Sequence, residues 1–405
     1  MQRPGRVMSH AGLPLTESAY DLAVVGGGML GLAAAFYLRQ LRPEARLLIV
    51  ESGGVPSEGG ATHASSGIFH HADLAGEELA RARWSGQVLR DLGAETGTRR
   101  PHDAPFRPVG WLRLDPVTAP APDHLELLPL QALAERLTPA QWSNLKHLVD
   151  LSSVTAALYD PRGGYGSAES AALAYGYAAV RLGADLMLNT RVHLENGALT
   201  LERLDITARM EVVVARRERV RVAQVIVAAG ARSPELLEEA GVLLPGVGRA
   251  YRQFPRLEGS FGLRLEAGRT ALPVVSYQDL ALRPRGEGLL ICPPPLPPDP
   301  AGYRPQGARF LGVSVGLRRE SLEALLERLE AIPALGWPSL NLGKTAADLQ
   351  GAWEVIPPRR RPAALEAAPG VHVLLGGEDG YRLGLAVARE LAGRLAGQTR
   401  LPWQP

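Results

Sequence analysis

The chain has 405 residues, of which 46% are hydrophobic and 21% are charged, and its formal net charge is +2. This length exceeds one average domain, and the composition is that of an ordered globular protein rather than a disordered one. The basic residues are scattered and almost all are arginine, which argues against the clustered basic face of a nucleic-acid-binding protein.

The cysteine content and the N-terminal sequence indicate a cellular location. Cys292 is the only cysteine, so we expect neither a disulfide framework nor a thiolate metal cluster, and a reducing compartment is favoured. Residues 1–20 lack a long apolar stretch and are a poor secretory signal, so we interpret them as a loose N-terminal extension. No run of about 18 apolar residues predicts a transmembrane helix. We therefore expect a cytoplasmic protein without a metal site.

A βαβ unit is predicted near the N-terminus. Residues 21–25 form a short apolar run that ends in three glycines, residues 29–41 are rich in Ala and Leu, and residues 47–50 are apolar again. The pattern predicts a buried strand, a helix and a second buried strand, a unit of about 30 residues.

Three glycines with the spacing GxGxxG join the first strand to the helix. Gly26 permits a tight turn, Gly28 permits close approach of a diphosphate, and Gly31 lets the helix lie against the strand. The backbone N–H groups at the helix start, around Met29 and Leu30, are suited to bind that diphosphate. The loop therefore predicts dinucleotide binding.

An acidic residue stands where the second strand ends. Glu51 follows the glycine loop by about 20 positions, the place where a carboxylate accepts the ribose hydroxyls of a dinucleotide, and Ser52 is the next candidate. The strand, the glycine loop, the helix, the second strand and the acidic residue therefore all occur in the order that a dinucleotide-binding unit requires. The motif by itself leaves NAD and FAD open.

Further elements are predicted along the rest of the chain. Helical patterns occur at residues 76–93, 167–182, 319–331 and about 383–395. Strand patterns occur near residues 185–192, 224–228 and 371–375. Short segments among prolines in residues 100–150 and alternation in residues 246–315, with an exposed proline-rich loop at 293–305, predict a second, sheet-bearing domain.

Taken together, the segments from 21 to 397 resemble the D-amino-acid oxidase superfamily of flavoproteins, which includes glycine oxidase and sarcosine oxidase. The resemblance implies an α/β fold, with a Rossmann-like FAD-binding domain and a second, mainly antiparallel β-sheet substrate domain. The discontinuous FAD-binding domain would consist of residues 21–99, 150–245 and 345–397. The substrate-binding domain would consist of residues 100–149 and 246–344.

A small-residue segment after Glu51 carries part of this resemblance. It is similar to the stretch that these enzymes lay along the diphosphate and flavin, which assigns to FAD the residues Thr62, Ser65, Ser66 and Gly67. The next residues resemble the Ser-Gly-x-x-His stretch of the 2-hydroxyglutarate-oxidising branch, with His70 at the matching place. By the resemblance, His70 or His71 is a base, a substrate contact or a covalent attachment point for FAD; a structural histidine pair is the alternative.

Two later segments resemble further parts of the family's cofactor domain. The backbone of Val192 would meet the adenine, and plain strand packing is the alternative. Ala229 and Gly230 end a strand that resembles the element beneath the flavin.

The glycine-rich run at residues 376–384 resembles the sarcosine-oxidase run of Gly, aromatic, basic and apolar residues. It assigns to the cofactor the residues Gly377, Gly380, Tyr381, Arg382 and Leu383. A helix N-terminus there would stabilise negative charge on the reduced flavin. By the same resemblance Arg382 binds the substrate carboxylate, for which an arginine fork is suited, and a solvated arginine is the alternative. Tyr381 is a further catalytic candidate.

The substrate domain is less similar to the family. Residues 277–288 resemble the strand pair over the active site, which makes Tyr277 a catalytic candidate. Cys292 and a proline run stand where many relatives have small residues. Arg252 and Gln253 lie in a region that resembles an Arg-Gly-Gln turn whose glycine is absent here. The substrate pocket is therefore expected to differ.

The resemblance implies an FAD-dependent oxidoreductase. Its reaction would be oxidation of the CH–NH bond of a small amino acid or secondary amine, a substrate with a carboxylate, by hydride transfer to flavin. Oxygen or a respiratory electron-transfer carrier would accept the electrons. One alternative is an FAD-dependent 2-hydroxy-acid or glycerol-phosphate type dehydrogenase, for which the Ser66 to His71 stretch is the signal. The other is a flavin-binding subunit that is silent outside a larger complex.

Overall fold

The computed structural model shows an α/β protein with two large and two small β-sheets. It describes residues 4–57, 59–98, 106–115, 121–209, 211–257, 262–293, 319–329, 332–335 and 349–404. Its helices, numbered in chain order, are α1 (Met29–Leu41), α2 (Gly76–Arg90), α3 (Leu92–Thr96), α4 (Leu130–Arg136), α5 (Pro139–Leu148), α6 (Ala168–Arg181), α7 (Ser233–Glu239), α8 (Arg319–Leu329) and α9 (Gly380–Leu395). None of the described helices is long and apolar enough to cross a membrane.

The first sheet has nine strands. They are β1 (Val7–Met8), β2 (Ala19–Val25), β3 (Leu47–Val50), β10 (Asp185–Met187), β11 (Thr190–Glu195), β12 (Ala198–Ile206), β13 (Val212–Val227), β21 (Ala363–Ala368) and β22 (Val371–Leu375). Strands β1, β10, β3, β2, β13 and β22 run parallel, in that spatial order. This is the Rossmann-like sheet that the sequence predicted.

The second sheet has eight strands. They are β6 (Trp111–Arg113), β7 (Glu126–Pro129), β8 (Ala156–Asp160), β14 (Gly248–Leu257), β17 (Val274–Tyr277), β18 (Leu280–Arg285), β19 (Gly288–Cys292) and β20 (Leu349–Ile356). All of its pairings are antiparallel except that of β6 with β17. Strands β8 and β20 join this sheet, although the predicted domain division assigns their residues to the FAD-binding domain; the division itself stays a prediction.

Two small sheets complete the fold. The three-stranded sheet consists of β4 (Ile68–Phe69), β9 (Gly164–Gly166) and β5 (Phe106–Arg107), and the two-stranded sheet of β15 (Leu265–Glu266) and β16 (Arg269–Thr270). The three-stranded sheet leads directly into α6, whose first turn is capped by Ser167, because its Oγ accepts the N–H of Ser170 at 3.0 Å.

A hydrophobic core, called the first core below, contains buried residues of α1, α6 and α9. Small side chains let these helices pack closely. Ala33 and Ala34 on α1 and Ala171 and Ala172 on α6 are fully buried in one hydrophobic cluster. On α9, a Cβ on Gly384 would lie 2.4 Å from a methyl group of Leu30, so α1 and α9 also touch. This packing fixes the N-termini of α1 and α9 relative to each other.

The prediction of a loose N-terminal extension is wrong for residues 4–20. Strand β1 adds to the sheet edge beside β10, and Met8 is fully buried. Arg203 on β12 is also buried and donates to the main-chain carbonyls of Met8, His10 and Leu13. One internal arginine therefore holds this segment in place.

Two helices in residues 100–150 escaped sequence prediction. Helix α5 starts with a capping box between Thr138 and Gln141 and has Pro139 in its first turn. Proline is tolerated at that position because its missing N–H would have no helical partner there. The predicted strand at 224–228 is the end of the much longer β13, and the proline-rich loop at 293–305 lies outside the described residues except for Pro293.

Candidate active site

A cavity of about 730 Å³ lies between the two large sheets. Residues at the carboxyl ends of β2 and β3 line one side, the edge at which α/β sheets bind ligands. The other side consists of residues from one face of the eight-stranded sheet, among them Arg252, Phe254, Ala281, Cys292 and Glu354.

The glycine loop forms the floor of this cavity. Gly26 has a φ of +120°, and a Cβ there would lie 2.3 Å from the carbonyl oxygen of Ala228. A Cβ on Gly31 would lie 2.2 Å from the carbonyl oxygen of Gly26. Neither position can carry a side chain without displacement of the backbone. A Cβ on Gly28, in contrast, would approach only Thr62 Oγ1, at 3.1 Å, and would point into the space for the ligand.

The N-terminus of α1 is open toward the cavity. Gly28 is its N-cap and provides no side-chain cap, while Thr62 Oγ1 accepts the N–H of Met29 at 3.0 Å. The next N–H groups of the first turn have no intrahelical acceptor. This end of the helix dipole therefore suits the diphosphate of a dinucleotide.

Glu51 lines the cavity at the end of β3. Its Oε2 accepts the N–H of Gly27 at 2.6 Å, and its Oε1 accepts the N–H of Gly53 at 2.9 Å. Two carboxylate oxygens offer about four lone pairs, so capacity remains for ribose hydroxyls. The backbone contacts fix the carboxylate in position for that role.

Most of the other predicted cofactor residues also line the cavity. They are Met29, Leu30, Ser52, Thr62, Ser65, Ser66, Val192, Ala229, Gly230, Gly377, Gly380, Tyr381 and Arg382. Gly31, Gly67 and Leu383 do not line it. Gly67 has a φ of +64° against the carbonyl of Gly166, and Leu383 is buried in the first core, so both have structural explanations. The glycine cradle, the open helix end and the placed carboxylate fit a dinucleotide such as FAD.

His70 lines the cavity as a neutral ring. It stacks on Trp111 with ring centroids 4.4 Å apart and an interplanar angle of 16°. Burial and the nearby charge of Arg382 lower the pKa of His70 to about 3. The ring is therefore unprotonated at neutral pH, and the lowered pKa makes it a weak base.

His71 has a structural role. Its Nδ1 lies 2.8 Å from Asp160 Oδ2, and the same oxygen accepts the N–H of His71 at 2.9 Å. Both residues are buried, and His71 is not among the residues that line the cavity. Of the two histidines, only His70 lines the cavity.

Arg382 lines the cavity, but its charge is already balanced. Its Nη1 lies 2.7 Å from Asp73 Oδ1, its Nε donates to Asp379 Oδ1 at 2.7 Å, and Nη1 also donates to the carbonyl of His70 at 3.0 Å. Burial alone would raise the pKa of Asp73, but the hydrogen bond and charge of Arg382 hold it well below its usual value. Two carboxylates already contact the guanidinium, and the binding of a substrate carboxylate by Arg382 stays a prediction.

Replacing Arg382 should destabilise the fold. Arg382→Met leaves the carboxylates of Asp73 and Asp379 with Arg361 as their one remaining cation among the described residues, and loss of one partner from a buried ion pair costs about 3 kcal/mol. Urea unfolding at pH 7 should show a free energy of unfolding lower by this amount. Arg83→Met, an exposed change on α2, serves as the control. Equal stability of the two variants would show that the pairs contribute nothing.

The structure does not bring Tyr277 to the cavity. Its side chain packs against the hydrophobic cluster of the second domain, and its hydroxyl accepts from Gln278 Nε2 at 3.4 Å. Tyr277 ends β17, two strands away from the strand that supplies Cys292. The resemblance placed Tyr277 over the active site, whereas the structure places it partly buried and outside the cavity lining; its catalytic role stays a prediction.

Glu354 is a cavity residue that sequence reasoning missed. It lies on β20 and forms an ion pair with Arg252 on β14, with Oε2 2.8 Å from Nε. Only 17% of its side chain is exposed, and burial raises the pKa of Glu354 to about 7, although Arg252 acts in the opposite direction. No motif signals this residue, because its chemistry comes from burial and from a partner about 100 positions earlier in the chain.

Arg252 links Glu354 to the C-terminal turn. Its Nη2 lies 2.6 Å from Glu378 Oε1, and Glu378 Oε2 accepts from Arg360 Nε at 2.9 Å. A chain of alternating charges thus connects the face of the second sheet to the turn that precedes α9. It holds Glu354 against the cavity.

The fold and the cavity together define an α/β protein with a cavity between its two large sheets that fits a dinucleotide. The sequence matches the family described as FAD dependent oxidoreductase, DAO, over residues 21–394. The chain therefore belongs to the DAO family of FAD-dependent oxidoreductases, and FAD is its cofactor.

Comparisons with individual proteins agree with this family. N-methyl-L-tryptophan oxidase of Yersinia pestis is 26% identical over 180 residues, a match that spans 43% of this chain and only 46% of that protein. The structure of glycine oxidase from Bacillus cereus superposes with a TM-score of 0.64 at 18% identity, covering 94% of this chain and 96% of that one. L-proline dehydrogenase from P. horikoshii gives a TM-score of 0.67 at 18% identity, with 96% of both chains covered. At such identities the structures share the fold.

Proposed function

We propose that this enzyme oxidises the CH–NH bond of a small amine or amino acid. The observation that carries the proposal is the position of Glu354. Its mostly buried carboxylate lies on the cavity wall formed by the eight-stranded sheet, opposite the glycine loop that would hold FAD. A carboxylate with a pKa of about 7 can both attract a substrate ammonium group and accept its proton near neutral pH. The names of the similar proteins, which concern amino acids and their N-methyl derivatives, support the same substrate class.

In the proposed mechanism, Glu354 takes one proton from the substrate ammonium nitrogen. The nitrogen gains a lone pair, which assists departure of a hydride from the adjacent carbon and leaves a protonated imine. Bound FAD would supply the acceptor for that hydride, and oxygen or an electron-transfer carrier would take up the electrons. Arg252 acts as a positioning residue, since its ion pair holds Glu354 in place.

The chain's own groups would hold FAD at both ends. The N-terminus of α1 would hold the diphosphate, Glu51 the adenosine ribose, and the Gly377 to Gly380 turn before α9 would face the flavin. Helix α9 starts at Gly380, so Tyr381 and Arg382 lie in its first turn. The positive end of this helix dipole would favour negative charge on the reduced flavin.

Anaerobic mixing tests the proposed reaction. The FAD-loaded protein should lose flavin absorbance near 450 nm on mixing with one or more small amines, N-methyl amino acids or amino acids, because hydride transfer bleaches the flavin. The same mixture without substrate is the control for photoreduction. Failure of every such compound to bleach the flavin would refute the proposal.

A second candidate, oxidation of a 2-hydroxy acid, is favoured by one observation. His70 is a neutral ring in the cavity, and its stacking on Trp111 would hold it in position to accept a hydrogen bond from a substrate hydroxyl. If the candidate is correct, His70→Asn should reduce flavin reduction by 2-hydroxy acids at least tenfold while FAD stays bound, because the shorter side chain no longer reaches that hydroxyl.

The amine reaction makes the opposite prediction for this variant. If Glu354 is the base, His70→Asn should change the rate of flavin reduction by amines less than about tenfold, because a misplaced neighbour costs less than a lost base. Stopped-flow absorbance with both substrate classes separates the two candidates. Loss of reduction by amines alone would contradict our assignment of Glu354.

A further inference from the structure

A second cavity, of about 310 Å³, lies beside the first. The two share lining residues, namely Thr62, Ser65 and Ala168. The second cavity is bounded by the loop at residues 62–65, by the junction of β9 with α6, and by the turn between β18 and β19. It therefore lies behind the loop that borders the cofactor cavity.

The lining of this second cavity is strongly basic. Its arginines are Arg107, Arg269, Arg283 and Arg285, and its one acidic residue is Glu169. Glu169 Oε2 lies 3.3 Å from Nδ1 of His63, which also lines the cavity. Positive side chains thus outnumber negative ones in the described lining, which favours an anionic ligand.

Arg283 is the most informative of these residues. Only 7% of it is exposed, Nη1 donates to the carbonyl of Pro284 at 3.0 Å, and Nε is buried without a hydrogen-bond acceptor. Its guanidinium lies 5.0 Å from the ring of Tyr165, and none of the described carboxylates forms an ion pair with it. Burial lowers the pKa of Arg283, yet an arginine stays protonated in proteins. A buried cation of this kind calls for a counter-charge.

The fold gathers these positive groups at one place. Arg283 and Arg285 are two residues apart on β18, so they point to the same face of the sheet. The carbonyl of Gly286 accepts the N–H of Thr270 at 2.9 Å, which brings β16 and its Arg269 to the same turn. The N-terminus of the 14-residue helix α6, which carries the positive end of a helix dipole, lines the same cavity.

We propose that the second cavity binds an oxyanion through Arg283 and the start of α6. The ligand chemistry is that of a carboxylate or phosphate group, which matches the planar donor fork of arginine. Two sources share this chemistry: an acidic end of a substrate held in the adjoining cofactor cavity, and a free oxyanion. The site is independent of which bond the enzyme oxidises.

Calorimetric titration of the FAD-loaded protein tests the site. Inorganic phosphate or succinate, added in low-chloride buffer, should bind saturably, and Arg283→Gln should weaken that binding at least tenfold. The control Arg83→Gln changes an exposed arginine on α2 and should leave binding unchanged. Absence of saturable binding to the natural protein, or equal binding to Arg283→Gln, overturns the proposal.

A second variant keeps the test decisive if Arg283→Gln does not fold. Arg285→Gln alters a less buried arginine of the same cavity and should weaken phosphate binding as well, with flavin content and circular dichroism as checks on the fold. Unchanged binding in a folded Arg285→Gln protein, when Arg283→Gln cannot be obtained, counts against the site. These titrations need no turnover, so they can fail independently of the amine reaction.

Steady-state kinetics distinguish the two sources of the oxyanion. Competitive inhibition by phosphate of a substrate that carries an acidic group assigns the site to that substrate. Binding of phosphate without an effect on the Michaelis constant assigns the site to a separate ligand. Either result agrees with oxyanion binding and excludes the other source.

Discussion

Substitution of Gly28 by valine should give a folded protein with less than about a tenth of the natural FAD content. Gly28 has a φ of −75° and a ψ of 171°, values that any residue adopts, and its added Cβ would meet only the hydroxyl of Thr62. The valine methyl groups would occupy the space over the N-terminus of α1, where we propose that the diphosphate binds. A loss of about 1.4 kcal/mol in binding free energy already means tenfold weaker binding.

The ratio of absorbance at 450 nm to that at 280 nm measures this loss, and circular dichroism reports the fold. Gly393→Ala, a change within α9 where a Cβ would meet only two flexible side chains, is the matched control. A Gly28→Val protein with full flavin content would contradict the placement of the diphosphate. An unfolded Gly28→Val protein would contradict our view that the cradle leaves room for a side chain in the apoprotein.

The cofactor half of the site could be predicted from the sequence because it is local. Strand, glycine loop, helix and Glu51 lie within one βαβ unit, and backbone conformation alone determines which positions must be glycine. The C-terminal turn before α9 was predicted by its resemblance to sarcosine oxidase. Each motif is a short continuous segment, so its prediction needed no knowledge of distant residues.

The substrate half could not be predicted in this way, since its chemistry depends on distant partners. Arg382 meets Asp73 across 309 positions of the chain, and this pair changes the arginine from a free cation into a neutralised one. The position of Tyr277 relative to the cavity could not be predicted, because strand order in the second sheet cannot be read from alternation. Helix α5 was missed because proline, read as a breaker, stands here at the start of a helix.

The charges around Glu354 decide what the cavity can hold. Arg252 is shared between Glu354 and Glu378, and Arg360 also pairs with Glu378. Burial disfavours the ionised form of Glu354, and the charge of Glu378 adds to that effect. The positive charge of an incoming ammonium group would offset both the burial of Glu354 and the charge of Glu378. This favours an amine over an anion at this wall of the cavity.

Glu354→Gln should slow flavin reduction by an amine substrate about 100-fold at pH 7.5. A raised carboxyl pKa means that Glu354 is protonated below pH 7 and cannot accept the substrate proton there, so the natural rate should rise with pH through about 7 and then level off. Glutamine keeps the shape of the side chain but cannot take a proton. In the variant, the rise should therefore move to the higher pH at which solvent removes the proton from the bound ammonium.

Stopped-flow reduction at saturating amine between pH 5.5 and 9 measures this change. Glu366→Gln, an exposed site on β21, should keep the natural profile. Glu354→Asp should restore part of the rate and a rise near neutral pH, because a carboxylate is again present. If Glu354→Gln keeps the rise near pH 7, the titrating group is another residue and Glu354 only shapes the pocket. If the rise disappears while FAD content and fold persist, only proton transfer to this carboxylate accounts for the change.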